Sequence, residues 1–298
     1  MKIRRFLPLL LLSILTAALL IAPAAALSEG DARVIIGANL DDAQITSVYK
    51  TFGIERGSVR ELSVTIDEER DYLEGLVADS VLGTRSISCA YIEITAPGSG
   101  RQVSCSNISW CTEATYLNAL VTAGIDDVRV LVTAPISVSG TAALTGIYKA
   151  YEDLTGAQLD DLAKIVGQHE LVITSDIASQ IGDIDAASIV NDLKMILDET
   201  QNMSDDELRA QIAVIAAEYN VTLTSGQTDQ LIGLCRQFEG LSVDELKKKV
   251  EEVQGMIKNL ATAQETLKNA GETAGRIAEN VKNFFISVSD FFSNLFKK

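Results

Sequence analysis

Hydrophobic positions recur along this chain in two alternating rhythms. Residues 33–40 (RVIIGANL) and 58–66 (SVRELSVTI) are short β-branched runs, and each precedes a stretch of helical period, residues 41–53 and 67–83. Two further runs, residues 85–96 and 100–109, flank APGSG and read as a hairpin. A helix follows over YLNALVTAG, closed by Gly124, and then a strand over DDVRVLVTAP that Pro135 is expected to end. The next segment, ISVSGTAALTGIYKAYE, offers Ser139 or Thr141 as the N-cap of a small-residue helix. The order βαβαββαβα predicts an α/β or α+β fold, with an N-terminal mixed sheet and packed helices.

Beyond residue 152 the strand rhythm stops and an all-helical C-terminal half begins. Five segments carry a capping-box spacing: Asp41 with Gln44, Thr155 with Gln158, Ser204 with Glu207, Thr224 with Gln227, and Ser242 with Glu245. Their irregular spacing argues for separate helix starts and against a solenoid. Those beyond residue 152 divide the half into helices near 156–168, 171–181, 184–200, 205–219 and 225–238, burying Leu208, Ile212, Ile215, Leu231 and Leu234. A longer helix starts near Val243, with Val250, Val253, Ile257, Leu260 and Leu267 on one side. The expected organisation is a leader over 1–26, an α/β domain over 27–152, a helical domain over 153–240, and a long helix with its tail over 241–298.

The segments YLNALVTAG, VTAP and SGTAALTGIYKAYE resemble family 1002 of the domains of unknown function, the YpuA-like secreted bacterial proteins. The likeness extends through GSVRELSVTIDEERDYLEGL, GTRSIS and QHELVITSDIASQIGD, covering roughly residues 28–238. It implies a bacterial exported protein of undefined activity and supplies no site residues.

The N-terminus adds its own argument. Lys2, Arg4 and Arg5 precede an apolar run from Phe6 to Ala22, and Ala24-Ala25-Ala26 completes a secretory signal with cleavage expected near Ala26. A retained anchor is the rival reading. Cleavage takes the formal charge from −16 to −19, because three cations and no acids are lost. So acidic a chain disfavours nucleic acid as a partner. Secreted or envelope-associated localisation follows.

Candidate chemistry is sparse. No G-x-S-x-G, H-E-x-x-H, Walker or C-x-x-C pattern is present, so no catalytic residue, metal ligand or cofactor is assigned. Ser139, Gly140 and Thr141 form a candidate ligand-binding turn before a helix, with a plain cap as the competing reading. Asn39, Asp41 and Asp42 read as turn and cap. His169, the single histidine, reads as a surface or capping residue between helices. Glu68, Glu69, Asp71 and Glu74 cluster near one helix face, a solvated face or the acids of a carboxylate-dependent hydrolase. Strand parity separates Cys89 from Cys105; a Cys105–Cys111 bridge and free thiols both remain open.

The C-terminal tail is the sharpest compositional feature. Phe284, Phe285, Val288, Phe291, Phe292 and Leu295 fall on one helical stripe, and five of the eight phenylalanines lie in this tail. Three uses compete: a membrane surface, self-association or another partner, and docking on the protein's own core. The resulting expectation is a non-enzymatic exported interaction protein using this helix. The alternative is a hydrolase of wall or matrix polymer.

Overall fold

A computed structural model describes residues 28–73, 76 and 82–270. The leader, Glu74 and the Phe-rich tail lie outside the described residues, as does the side chain of Leu267. Five strands form one mixed sheet: β1 (Ala32–Gly37), β2 (Arg60–Val64), β3 (Cys89–Ile94), β4 (Arg101–Ile108) and β5 (Val128–Val138), in spatial order β2-β1-β3-β5-β4. The pairs β1–β2 and β4–β5 are parallel, whereas β3 runs antiparallel to both of its neighbours. The α/β expectation therefore holds, with the sheet mixed in direction.

The hairpin does not form. β5 inserts between β3 and β4, so Ile92 and Val103 both pair with Val130 instead of with each other's strand. Cys89 and Cys105 still point to opposite faces, because residues in register across a sheet share a face. Ala90, Cys105 and Val132 lie on one side, and Cys89, Thr133 and Ser106 on the other. Pro135 does not end β5 either. The β3 pairing stops at Thr133, and the strand runs on to Val138 against β4 alone, so the missing proline N–H leaves β3's ladder intact. Asn107, at φ +56°, absorbs the register shift between Ser106 and Ile108.

One sheet face packs on α1 (Asp42–Phe52). There Ile45, Val48, Tyr49 and Phe52 meet Val34, Ile36, Cys89 and Tyr91. The opposite face, with Ile35, Ala90, Ile92 and Val130, carries α3 (Glu113–Thr122) and α4 (Thr141–Thr155), while α2 (Ile66–Leu73) lies beside α4. Close approach explains two glycines. A Cβ at Gly146 would fall 2.2 Å from Ile35 Cγ2, and one at Gly37 would fall 2.6 Å from the Ser86 carbonyl oxygen. The sheet's edges are occupied by side chains, a common guard against edge pairing. Lys149 donates to the Ser63 carbonyl on β2, and Glu113 accepts from the Cys105 N–H on β4.

The helical half comprises α5 (Asp161–Ile181), α6 (Asp183–Met195), the single turn α7 (Leu197–Thr200), α8 (Asp205–Glu218), α9 (Ser225–Phe238) and α10 (Val243–Ala270). Leu208, Ile212, Ile215, Leu231 and Leu234 are buried as the periodicity requires. Ala114, Leu117 and Val121 of α3 join this second core, while Tyr116, Ala119 and Leu120 of the same helix join the first. Capping boxes form at Asp41, Ser204 and Thr224, and α10 begins directly after Ser242. Thr155 departs from this pattern. It ends α4, its hydroxyl accepts from Ala157 N, and Asp160 caps α5 instead. Residues 171–181 thus continue one helix with 161–170.

Candidate functional site

The parallel strands β4 and β5 end side by side and feed α3 and α4. The carboxyl ends of parallel strands are where an α/β sheet ordinarily presents a site. The turn Ser139-Gly140-Thr141 lies there, but it is packed, with Thr141 buried and Ser139 half-buried. Gly140 is the N-cap of α4 at φ +102°, and no side chain caps the helix, contrary to the expected role of Ser139 or Thr141. The two hydroxyls pair with each other at 3.3 Å. A Cβ at Gly140 would meet Ile108 Cγ2 at 2.6 Å and the Tyr116 hydroxyl at 2.8 Å, so both conformation and space demand glycine.

Around the turn the protein buries an unusual set of polar groups. The Tyr116 hydroxyl donates to Gly140 O at 2.5 Å, and Cys111 N–H donates to Ser139 O at 3.0 Å. Ser175 of α5 reaches Thr115 at 3.3 Å. Burial pushes the Cys111 thiol up to about 12, and it raises Cys105 and Tyr116 well above their ordinary values. The thiols are therefore held neutral and unactivated. All four cysteines are free.

Glu69 of α2 completes the cluster. It is 1% exposed, the Thr141 hydroxyl bonds its carboxyl, and its Oε1 has no hydrogen-bond partner. Desolvation raises its pKa to about 7, offset in part by the Thr141 bond and the charge of Arg70. The acids expected to cluster on this helix instead diverge. Glu68 pairs with Lys149 at 2.6 Å and accepts from Thr65 N at 2.8 Å, Asp71 is exposed, and of the described acids of this cluster only Glu69 turns inward. Its inward position follows the spacing of Ile66, Glu69 and Leu73 at i, i+3 and i+7 on one face, which the acids around it mask in the sequence.

A second buried network joins α3, α5 and α6. Lys194 and Glu170, both with fully buried side chains, pair at 2.5 Å. Thr122 donates to Glu170, Asn191 donates to Asn118, Asn118 donates to the Ala187 carbonyl, and Lys194 Nζ stands 5.0 Å from the Phe238 ring centroid. Burial lowers the Lys194 pKa. His169 is half-buried within α5, where Nε2 meets the Tyr72 carbonyl at 3.2 Å and Nδ1 meets Gln237 at 2.6 Å. It ties α2 to the helical half, so it is neither a cap nor a free surface residue.

Two neighbouring cavities flank α10, of about 410 and about 580 Å³, and Glu245 and Lys249 line both. The larger is walled by Gly98, Ser99, Asp126, Asp127, Lys248 and Glu252. Beneath it the buried Arg101 guanidinium pairs with Asp126 and donates from Nε to Ile125 O at 2.5 Å. Lys249 reaches Asp126 at 2.8 Å and fastens α10 to this corner. Among the described residues no group of three or more His, Cys, Asp or Glu is placed to hold a metal ion. Nor is any described helix long and apolar enough to cross a membrane.

The architecture is a helix-covered mixed sheet continued by a helical half, with its most perturbed ionisable groups turned inward. The chain belongs to the bacterial family described as Protein of unknown function (DUF1002), whose model matches residues 36–256. It is similar to the uncharacterized protein YpuA of Bacillus subtilis (strain 168), at 33% identity over 287 residues, which cover 94% of this chain and 95% of the relative. No solved structure matches it.

Proposed function

We propose that this family member is exported and works as a non-enzymatic interaction protein of the cell envelope or its surroundings, engaging its partner through the C-terminal amphipathic helix. The observation that carries this reading is how α10 sits. Leu246, Val250, Val253 and Ile257 anchor its first half in the helical core. Leu260 is half-buried, Thr262 and Ala263 are exposed, and the helix runs on to Ala270. The sequence beyond continues with the stripe Phe284, Phe285, Val288, Phe291, Phe292 and Leu295. An anchored helix leading into so apolar a stripe suits presentation to a surface outside the fold.

The basic, apolar and A-x-A pattern of residues 1–26 supports export. Intact-mass measurement on fractionated cells tests this part: a chain beginning at Leu27 outside the cytoplasm agrees, and a cytoplasmic chain retaining Met1 refutes it. The contact is tested by light scattering and vesicle binding of the mature protein beside a chain ending at Lys282. A change in either property on truncation supports the reading, and no change in both removes its basis.

A further inference from the structure

The geometry points to α2 as a pH-sensitive latch: ionisation of the buried Glu69 carboxyl releases α2 and uncovers Cys111 and the Ser139-Gly140-Thr141 turn beneath it. The α2 helix has eight residues, and only Glu69 and Leu73 are fully buried. Leu73 packs with Leu82 and Val172, with Trp110 alongside, and the Tyr72 ring meets Tyr148 edge-on at 6.3 Å. Among the described residues, further fastenings run from Glu68 to Lys149, from Arg70 to the Gly83 carbonyl at 2.9 Å, and from the Tyr72 carbonyl to His169. A buried carboxyl thus sits at the centre of a short helix.

Among the described residues only the charge of Arg70 offsets the ionised Glu69 carboxyl, and it does not outweigh the desolvation. On α2 itself, Glu68 and Asp71 are acids, and Arg70 acts on Glu69 through its charge while donating to Gly83 O. Thr141 at the start of α4 bonds the carboxyl, and Cys111 from the loop after β4 and Tyr116 of α3 feel its charge; the thiol and the phenol are neutral. On α4, Lys149 pairs with Glu68, and Glu152 pairs with Lys164 of α5. His169 of α5 faces the Tyr72 carbonyl. Opening α2 exchanges a dry carboxyl for a hydrated one, so closure weakens as pH rises.

Hydrogen exchange measures this directly, because protection factors have the intrinsic pH dependence of exchange divided out. A carboxyl that titrates near 4.5 when hydrated and near 7 when buried raises the opening constant about tenfold between pH 6 and pH 8.5. The α2 amides are expected to lose protection by that factor, while α9 amides hold theirs. Glu69→Gln, which keeps an acceptor for Thr141 without a charge, should abolish the pH dependence, and His169→Gln should retain it. An unchanged slope in E69Q, or a slope abolished only by H169Q, overturns the proposal. Should E69Q fail to fold, the wild-type comparison decides: loss confined to α2 supports the latch, and equal loss in α9 or none in α2 overturns it.

Discussion

Removing Lys194 is the sharpest perturbation of the helical half. Its side chain and that of Glu170 are both fully buried, and they pair at 2.5 Å at the junction of α5 and α6. Lys194→Met keeps a long chain against Phe238 but leaves Glu170 with the Thr122 hydroxyl as its remaining side-chain partner in this network. Stranding one member of a buried pair costs about 3–5 kcal/mol, because the desolvated charge no longer has its counter-ion. Against a total stability of about 5–15 kcal/mol, that is a fifth or more of the fold's margin. Urea unfolding at pH 7 reads the loss as a lower midpoint at unchanged slope. Glu170→Gln strands the ammonium and should cost a similar amount. The double variant removes both charges and should recover at least half of the summed losses, since the two residues act on one another. Single losses under about 1 kcal/mol, or a double variant as unstable as the sum of the singles, would refute the reasoning.

Three further outcomes follow from the packing and the caps. The raised pKa of Glu69 favours the folded state fully below pH 4.5, and that contribution is lost as pH rises through about 7. It amounts to about 3 kcal/mol, from 1.36 kcal/mol per unit, so urea midpoints should fall over this window in the wild type more than in E69Q; equal falls would contradict it. Gly146→Ala places a methyl 2.2 Å from Ile35 Cγ2 and should cost about 1–3 kcal/mol, with Ile35→Val restoring part of the loss in thermal melts. Ser204→Ala and Asp160→Ala should each cost about 1 kcal/mol in chemical denaturation, and Thr155→Ala under about 0.5 kcal/mol, because Thr155 caps no helix. A Thr155→Ala loss equal to the others would restore the cap the spacing suggested.

Periodicity carried most of the fold because each half obeys it locally. The order βαβαββαβα, the boxes at Asp41, Ser204 and Thr224, and the buried stripes of α8 and α9 all follow from residues within a few positions of one another. Strand order did not follow, because pairing is non-local. Nothing near APGSG shows that β5 will intervene between β3 and β4. Thr155 misled for a similar reason: its spacing to Gln158 suits a box, but Gly156, at φ +66°, ends α4 there. The candidate turn was placed correctly at the mouth of β5, yet its occupant is a glycine packed under Tyr116. The acidic run of α2 hid the burial of Glu69, and Glu170 and Lys194 carry no motif that marks them. Which of them pairs with which depends on how α2, α5 and α6 meet, and no short-range pattern encodes that.

The central claim, that the C-terminal helix presents a contact surface, is tested most directly by flotation of the mature protein with anionic and neutral vesicles. A chain ending at Lys282 serves as the partner sample, because it keeps all of α10 and removes the whole phenylalanine stripe. The full chain is expected to float or self-associate, and the shortened chain to do neither. Identical behaviour of the two, with neither binding vesicles nor changing mass, would contradict it.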